Sequence, residues 1–196
     1  MVVVKRNGKR EPFSREKIIA GISRAEIWAA VDVLIAAARA GRRVYLVGNG
    51  GSAATASHMA VDLAKQATVN GHPALRAIAL TDNVPLMTAF ANDEDYAEIF
   101  VRQLAVHLEP GDVLVAISTS GRSPNILRAA EHARSRGATV IALTGCDGGA
   151  LRSIADCCVF VPCDDVSQQE VAHLAIDHVM AMAISARLHA DEAGAT

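Results

Sequence analysis

The stretch RVYLVGNGGSAATASHMAVDLA, residues 43–64, changes character twice. Residues 43–48 form a short apolar run of strand type, residues 48–52 are small and polar, and an apolar-periodic segment follows to about residue 67. A strand that turns through glycines into a helix is the first half of a βαβ unit. The glycines permit positive φ and let a ligand approach the backbone closely. The turn GNGGS has neither the GxxxxGK[ST] spacing of a P-loop nor the GxGxxG of a dinucleotide fold. Ser52, where the helix begins, is expected to cap it with its hydroxyl.

Outward from this unit the alternation continues. Strands are predicted at ALRAIAL (74–80), DVLVAIS (112–118), ATVIALT (138–144) and CCVFVP (157–162). Helices are predicted at about 23–40, 52–67, 93–108 and 123–137, with a short one at 149–156 and a long closing helix over 167–190. Gly41, Gly111 and Gly137 each fall where a helix should stop before a strand. The pattern predicts an α/β fold, a three-layer αβα sandwich around a five-stranded parallel sheet. In such sheets ligands bind beyond the carboxyl ends of the strands. The residues there are GNGGS, TDN (81–83), STSGRS (118–123) and TGCDGG (144–149), so the chemistry gathers on one rim.

STSGRS offers the hydroxyls of Ser118, Thr119, Ser120 and Ser123, and Ser123-Pro124 fits an N-cap with proline at the first helical position. Partial positive charge and unpaired N–H groups at such a helix start can hold a phosphate without a lysine. One such loop is equally well explained as turn and cap chemistry. Two of them, on consecutive halves of the same sheet, favour a ligand. Asn49 can turn its carboxamide toward sugar hydroxyls, and an uncharged polar cradle with no aromatic platform suits a phosphorylated sugar better than a nucleotide. No nucleotide cofactor is expected.

The chain's 196 residues suffice for one domain with a sizeable core. A formal net charge of −2 gives no reason to expect a nucleic-acid or membrane surface, no uninterrupted apolar stretch has the length of a membrane span, and the N-terminus has no secretory pattern. The expected location is cytoplasmic. Cys146, Cys157, Cys158 and Cys163 lack paired CxxC spacing, and the adjacent pair is read as small core residues of a strand. Residues 1–22 are expected to form an arm or hairpin turning at Asn7-Gly8, residues 23–190 one domain, and residues 191–196 a disordered tail. The arm also resembles the opening of the ATP-cone domain of ribonucleotide reductases. The remainder of such a domain is missing, so nucleotide binding is not expected there.

GNGGSAATASH, ISTSGRS and LTGCDGG, in this order and spacing, resemble the sugar isomerase (SIS) domain family, and within it the bacterial phosphoheptose isomerases, from about residue 27 to residue 188. The resemblance implies a flavodoxin-like sheet and a homotetramer with active sites between subunits. It implies a sugar phosphate held by Asn49, Gly50, Gly51, Ser52, Asp93, Ser118, Thr119, Ser120, Ser123 and a glutamine on the last helix, for which Gln169 is the candidate. It further implies acid–base catalysis by a helix carboxylate and a histidine of the last helix, here Asp62 and His178, and zinc or another divalent metal bound nearby.

The sequence departs from the family pattern at four places. The family glutamate is Asp62, four residues after His58, which keeps both on one helix face with a shorter carboxylate. The family arginine four residues further on is Gln66, and Asn of STSGNS is Arg122. The last helix is one residue out of step: Gln169 precedes His178 by nine residues where the family has eight. At about 100° per residue, nine steps put two side chains on opposite faces and eight leave them ~80° apart. One register puts Glu170 in the glutamine's place, with His173 and His178 following, and gives His58, Asp62, Glu170 and His178 as metal ligands. The other keeps Gln169 and gives Asp177 the histidine's position. The function implied is an aldose–ketose isomerase for a phosphorylated sugar such as sedoheptulose 7-phosphate. The alternative is a non-catalytic tetramer that binds a sugar phosphate or a protein partner, as a replication-initiator-associating member of the family does.

Overall fold

The computed structural model describes residues 2–4, 10–12 and 20–193. Strands β1 (Val2–Val4) and β2 (Arg10–Pro12) pair antiparallel, and the Asn7-Gly8 turn between them lies outside the described residues. Five strands then build one sheet: β3 (Arg43–Gly48), β4 (Arg76–Ala79), β5 (Val113–Ser118), β6 (Thr139–Thr144) and β7 (Cys157–Phe160). Their order is β4-β3-β5-β6-β7 and every pair is parallel, with Val44 opposite Val113 and Ser118 opposite Thr144. This is the doubly wound arrangement in which the chain reverses direction between β3 and β5, so the crevice at their carboxyl ends lies between GNGGS and STSGRS.

Strand alternation assigns the helices to two layers. Val44, Leu46, Val115 and Ile141 face α1 (Arg24–Arg39), α2 (Gly51–Val61) and the long α7 (Val166–Ala193), where Leu34, Met59, Ile176 and Met180 complete one core. Tyr45, Val47, Leu114 and Val140 face the other way, toward Leu104 on α4 (Val101–His107), Ile126 and Ala129 on α5 (Pro124–Ser135) and Leu151 on α6 (Gly149–Ile154). Residues 166–191 of α7 are long and apolar enough to span a membrane by length and composition, yet Ile176, Met180, Ile184 and Leu188 are packed into the first core. The helix continues through Ala193, past residue 191 where a tail was expected, and residues 194–196 lie outside the described region.

The single helix expected over 93–108 is not formed. The segment holds α3 (Val84–Asp93), a 3₁₀ turn (Tyr96–Glu98) and α4. Asn83 caps α3 by accepting from Leu86 N–H, with Pro85 in the first turn. Asp95 then accepts from Ala97 N–H and breaks the run. All four cysteines are free thiols, and burial pushes Cys157 up to about 11, far from a reactive thiolate.

Candidate active site

The GNGGS turn closes differently from the expectation. Gly50, at φ +56°, is the N-cap of α2 and makes no side-chain capping bond. Ser52 lies one turn position inside the helix, 5% exposed, and donates its N–H to the Asn49 carbonyl. Gly51 lies directly under Glu170: a Cβ there would meet the Glu170 carboxylate at 2.3–2.6 Å and push that side chain aside. Glu170 thus lies over the start of α2, where its charge complements the helix dipole.

The STSGRS loop is stitched to TGCDGG. Ser118 Oγ accepts from Gly121 N–H at 3.1 Å, Thr119 carbonyl accepts from Gly145 N–H at 3.1 Å, and Gly121 carbonyl accepts from Leu151 N–H at 3.0 Å. Ser120 Oγ accepts from Arg122 N–H at 3.3 Å. Arg122 also donates two bonds to Asp147, at 2.7 and 2.5 Å, and this pairing holds the Asp147 carboxyl well below the usual carboxylate range. Ser123 occupies the N-cap of α5 with Pro124 after it, as the sequence predicts, but its hydroxyl makes no capping bond. That leaves the hydroxyl available at a helix N-terminus, which favours an anion.

Between the two loops, Asn49 exchanges hydrogen bonds with Asn125: Asn49 Nδ2 donates to Asn125 Oδ1 at 2.9 Å, and Asn125 Nδ2 donates to Asn49 Oδ1 at 2.8 Å. Tyr96 hydroxyl donates to Asn49 Oδ1 at 3.1 Å. Asp93, expected beside the sugar, ends α3 in an exposed position and accepts from Asn92. The side chain from this segment that reaches Asn49 is that of Tyr96. Neither Tyr96 nor Asn125 was picked out from the sequence. The second asparagine, two residues after Ser123, was the available signal.

Further along α2, a groove of about 320 Å³ runs between α2 and α7, lined by Gly51, Thr55, His58, Glu170 and Leu174. At its far end, beyond His58, Asp62 Oδ2 accepts from His178 Nδ1 at 2.8 Å and lies 3.6 Å from His58 Nε2. The two imidazoles meet edge to face with centroids 4.9 Å apart. Asp62 also opens a π-helical turn (Asp62–Gln66) in which Ala67 N–H reaches back five residues to the Asp62 carbonyl. Such turns recur at functional sites.

The last helix divides the two registers. Gln169, His173 and Asp177 form a fully buried row on α7, while Glu170 and Leu174 line the groove and His178 stands beside Asp62. Gln169 packs against Gly145 and donates to Cys146 Sγ at 3.1 Å and to the Cys163 carbonyl. His173 Nε2 bonds the Thr144 carbonyl at 3.2 Å, and burial lowers its pKa against the opposing pull of that bond. The ligand atoms of His58, Asp62, Asp177 and His178 all lie within 4.8 Å of one another. Glu170, expected as a ligand, is not in this group. The one-residue offset of α7 turns Asp177 inward beside His178 and leaves Glu170 over Gly51. Neither Asp177 carboxylate oxygen has a hydrogen-bond partner among the described residues. Burial and the neighbouring Asp62 push the Asp177 carboxyl up to about 7, against the opposing pull of His178.

A family model for the SIS domain matches residues 16–145. The chain belongs to the SIS domain family. This SIS chain is 44% identical over 151 residues to the phosphoheptose isomerase of Rhodospirillum rubrum, covering 77% of the chain and 80% of that protein. It is 46% identical over 149 residues to the phosphoheptose isomerase of Mycobacterium tuberculosis, covering 76% of each. Among solved structures, the phosphoheptose isomerase of Neisseria gonorrhoeae superposes with a TM-score of 0.78 at 32% identity, over 87% of the chain and 89% of that protein. That of Francisella tularensis gives 0.74 at 35% identity, over 82% and 85%. The SIS fold also accounts for weaker likenesses, such as the NanR protein of Vibrio vulnificus, at a TM-score of 0.62 and 17% identity.

Proposed function

We propose that the chain is an aldose–ketose isomerase that converts sedoheptulose 7-phosphate to D-glycero-D-manno-heptose 7-phosphate. Relatives at 40–46% identity over most of the chain bear the name phosphoheptose isomerase, and the non-catalytic alternative is not favoured. The observation that carries the reading is the Asp62–His178 pair, a carboxylate and an imidazole 2.8 Å apart, placed on the helix that GNGGS opens. STSGRS, at the start of α5, ends the strand that pairs with β3 and so lies beside GNGGS. A sugar phosphorylated at one end and reacting at the other needs both an anion cradle and an acid–base pair.

The phosphate is held by the Ser120 and Ser123 hydroxyls and the α5 N-terminus, with Thr119 beside them. Asn49 meets the sugar chain near the loops, and the groove past Gly51 and Thr55 leads it toward His58. Asp62 is an acceptor only, so His178 Nδ1 carries the proton of their hydrogen bond, and Nε2 of the neutral ring is left as the basic nitrogen. Asp62 and His178 together move the proton between C1 and C2 through an enediol.

His58, Asp62, Asp177 and His178 fit a divalent cation. Two imidazoles and two carboxylates suit zinc or a similar ion, and the partnerless buried Asp177 carboxylate lacks a positive neighbour of that kind. Such an ion, when bound, would polarise the sugar carbonyl. Asp177→Asn is expected to weaken zinc binding by at least about tenfold to a hundredfold, the range that loss of an outer-shell partner costs, and Glu170→Gln to leave it unchanged. Titration calorimetry with zinc alone checks both, and equal losses in the two variants would return Glu170 to the ligand set.

Homotetramer formation and a cytoplasmic location belong to the same proposal. Val171, Leu174 and Met182 leave an exposed apolar stripe on α7 around His178, which supports an intersubunit position for the site.

The direct test incubates the protein with sedoheptulose 7-phosphate in deuterated water, with and without zinc. Exchange of solvent deuterium into the C1/C2 positions, with appearance of the aldose, is expected. Absence of exchange under both conditions would overturn the proposal.

A further inference from the structure

Asn49 and Asn125 join the two halves of the sheet where its winding reverses, one from the GNGGS turn and the other from the first turn of α5. Their amide orientations are fixed by a neighbour. Ile126 N–H donates to Asn125 Oδ1 at 3.0 Å, so that atom is the oxygen and the other end of Asn125 is the donor. The reciprocal pair then fixes Asn49: its Nδ2 faces Asn125 Oδ1 and its Oδ1 faces Asn125 Nδ2. Tyr96 hydroxyl donates to the same Asn49 oxygen. An asparagine side chain has two lone pairs and two N–H bonds to offer. Both lone pairs of Asn49 and one N–H are engaged within the protein, and a single N–H remains.

From this we infer that Asn125 is a positioning residue for the isomerisation: it locks the Asn49 carboxamide so that Asn49 presents one N–H donor, and no acceptor, to an oxygen of the sugar chain. The inference rests on the proposed isomerase reading. Asn125 is 1% exposed and does not itself meet the substrate. A freely rotating Asn49 could offer either its oxygen or its nitrogen, and a sugar bound through both would take more than one pose. Locking it selects a single pose, and a misplacement of about 1 Å at the reacting carbons costs on the order of a hundredfold. Tyr96 completes the lock by occupying the second lone pair.

Three measurements test the inference. In kinetics, Asn125→Ala is expected to lower kcat/KM for sedoheptulose 7-phosphate by about tenfold to a hundredfold, with part of the loss in kcat. Tyr96→Phe, at an exposed site where the fold is not at risk, should lower it by a smaller factor. In inhibition, competition by inorganic phosphate should be unchanged in both variants, because the serine loop that holds it is untouched. In side-chain amide NMR, wild-type Asn49 should show one proton protected from solvent exchange and one exposed, and Asn125→Ala should expose both. Wild-type kcat/KM in a folded Asn125→Ala protein would overturn the inference. So would a loss matched by weaker phosphate inhibition, which would mean that Asn125 supports the loop. An inactive wild-type protein would overturn the isomerase reading instead, and the NMR measurement would still report on the amide lock.

Discussion

Replacing His178 with Gln is expected to reduce turnover of sedoheptulose 7-phosphate by about two to four orders of magnitude, the range a positioned acid–base group contributes. Gln is close to His in size and can still donate to Asp62, so the contact between α2 and α7 survives in altered form. What is lost is the basic nitrogen, since an amide nitrogen has no free lone pair for a proton. The side chain is half-exposed, so the folded state should tolerate the change, and circular dichroism with a thermal melt would separate lost chemistry from lost structure. Competition by inorganic phosphate should persist, because the STSGRS loop proposed to hold it makes no contact through His178. A His178→Gln protein with near wild-type turnover would remove His178 from the proton path.

The second large effect is on the fold. Gly121→Ala is expected to destabilise the protein by at least about 3 kcal/mol, a fall in Tm of about 6–12 °C for a chain of this size. Gly121 sits at φ +60°, where an alanine is strained, and its Cβ would come within 1.9 Å of the Gly148 carbonyl oxygen. That oxygen belongs to backbone, so relief requires TGCDGG to move away from STSGRS. The bonds from Gly145 N–H to Thr119 and from Leu151 N–H to Gly121 would stretch with it. Thermal melts should show the loss. Phosphate affinity should fall as well, because the strand-to-helix turn that presents Ser120 and Ser123 is the part displaced.

Much of this was legible in the sequence because parallel strands buried on both faces leave a strong imprint. The β3 segment was located to the residue, and β5, β6 and β7 to within two residues at either end. Helix α3 was missed because it buries little: it has no fully buried residue, so its apolar periodicity is faint, and only Asn83 and Pro85 announced it. Serine is a good cap, which makes Ser52 the natural candidate, whereas the turn uses the positive φ of Gly50 instead. At the site, His58, Asp62 and His178 were legible through the resemblance to the SIS family, with the i,i+4 spacing of His58 and Asp62 consistent with it. Asp177 does not stand out as a ligand in the sequence because a one-residue offset on a helix leaves two adjacent side chains competing to face the partner helix. Which one turns inward depends on how α7 packs, and here residues 177 and 178 both reach Asp62's neighbourhood while Glu170 lands on Gly51. Asn125 itself stands in plain view after Ser123, but its pairing with Asn49 does not, because the two, 76 positions apart, meet only through the crossover of the sheet.

The π-turn that begins at Asp62 has a mechanical consequence. Each such turn stores one residue more than an α-turn, and here the surplus sits after the carboxylate rather than before it. From His58 to Asp62 the helix keeps ordinary α phasing, so the face turned toward α7 is set upstream of the slack. A residue gained or lost on the way to the edge strand β4 can be absorbed by winding or unwinding that one turn. The connection to β4 can therefore change length without rotating Asp62 away from His178.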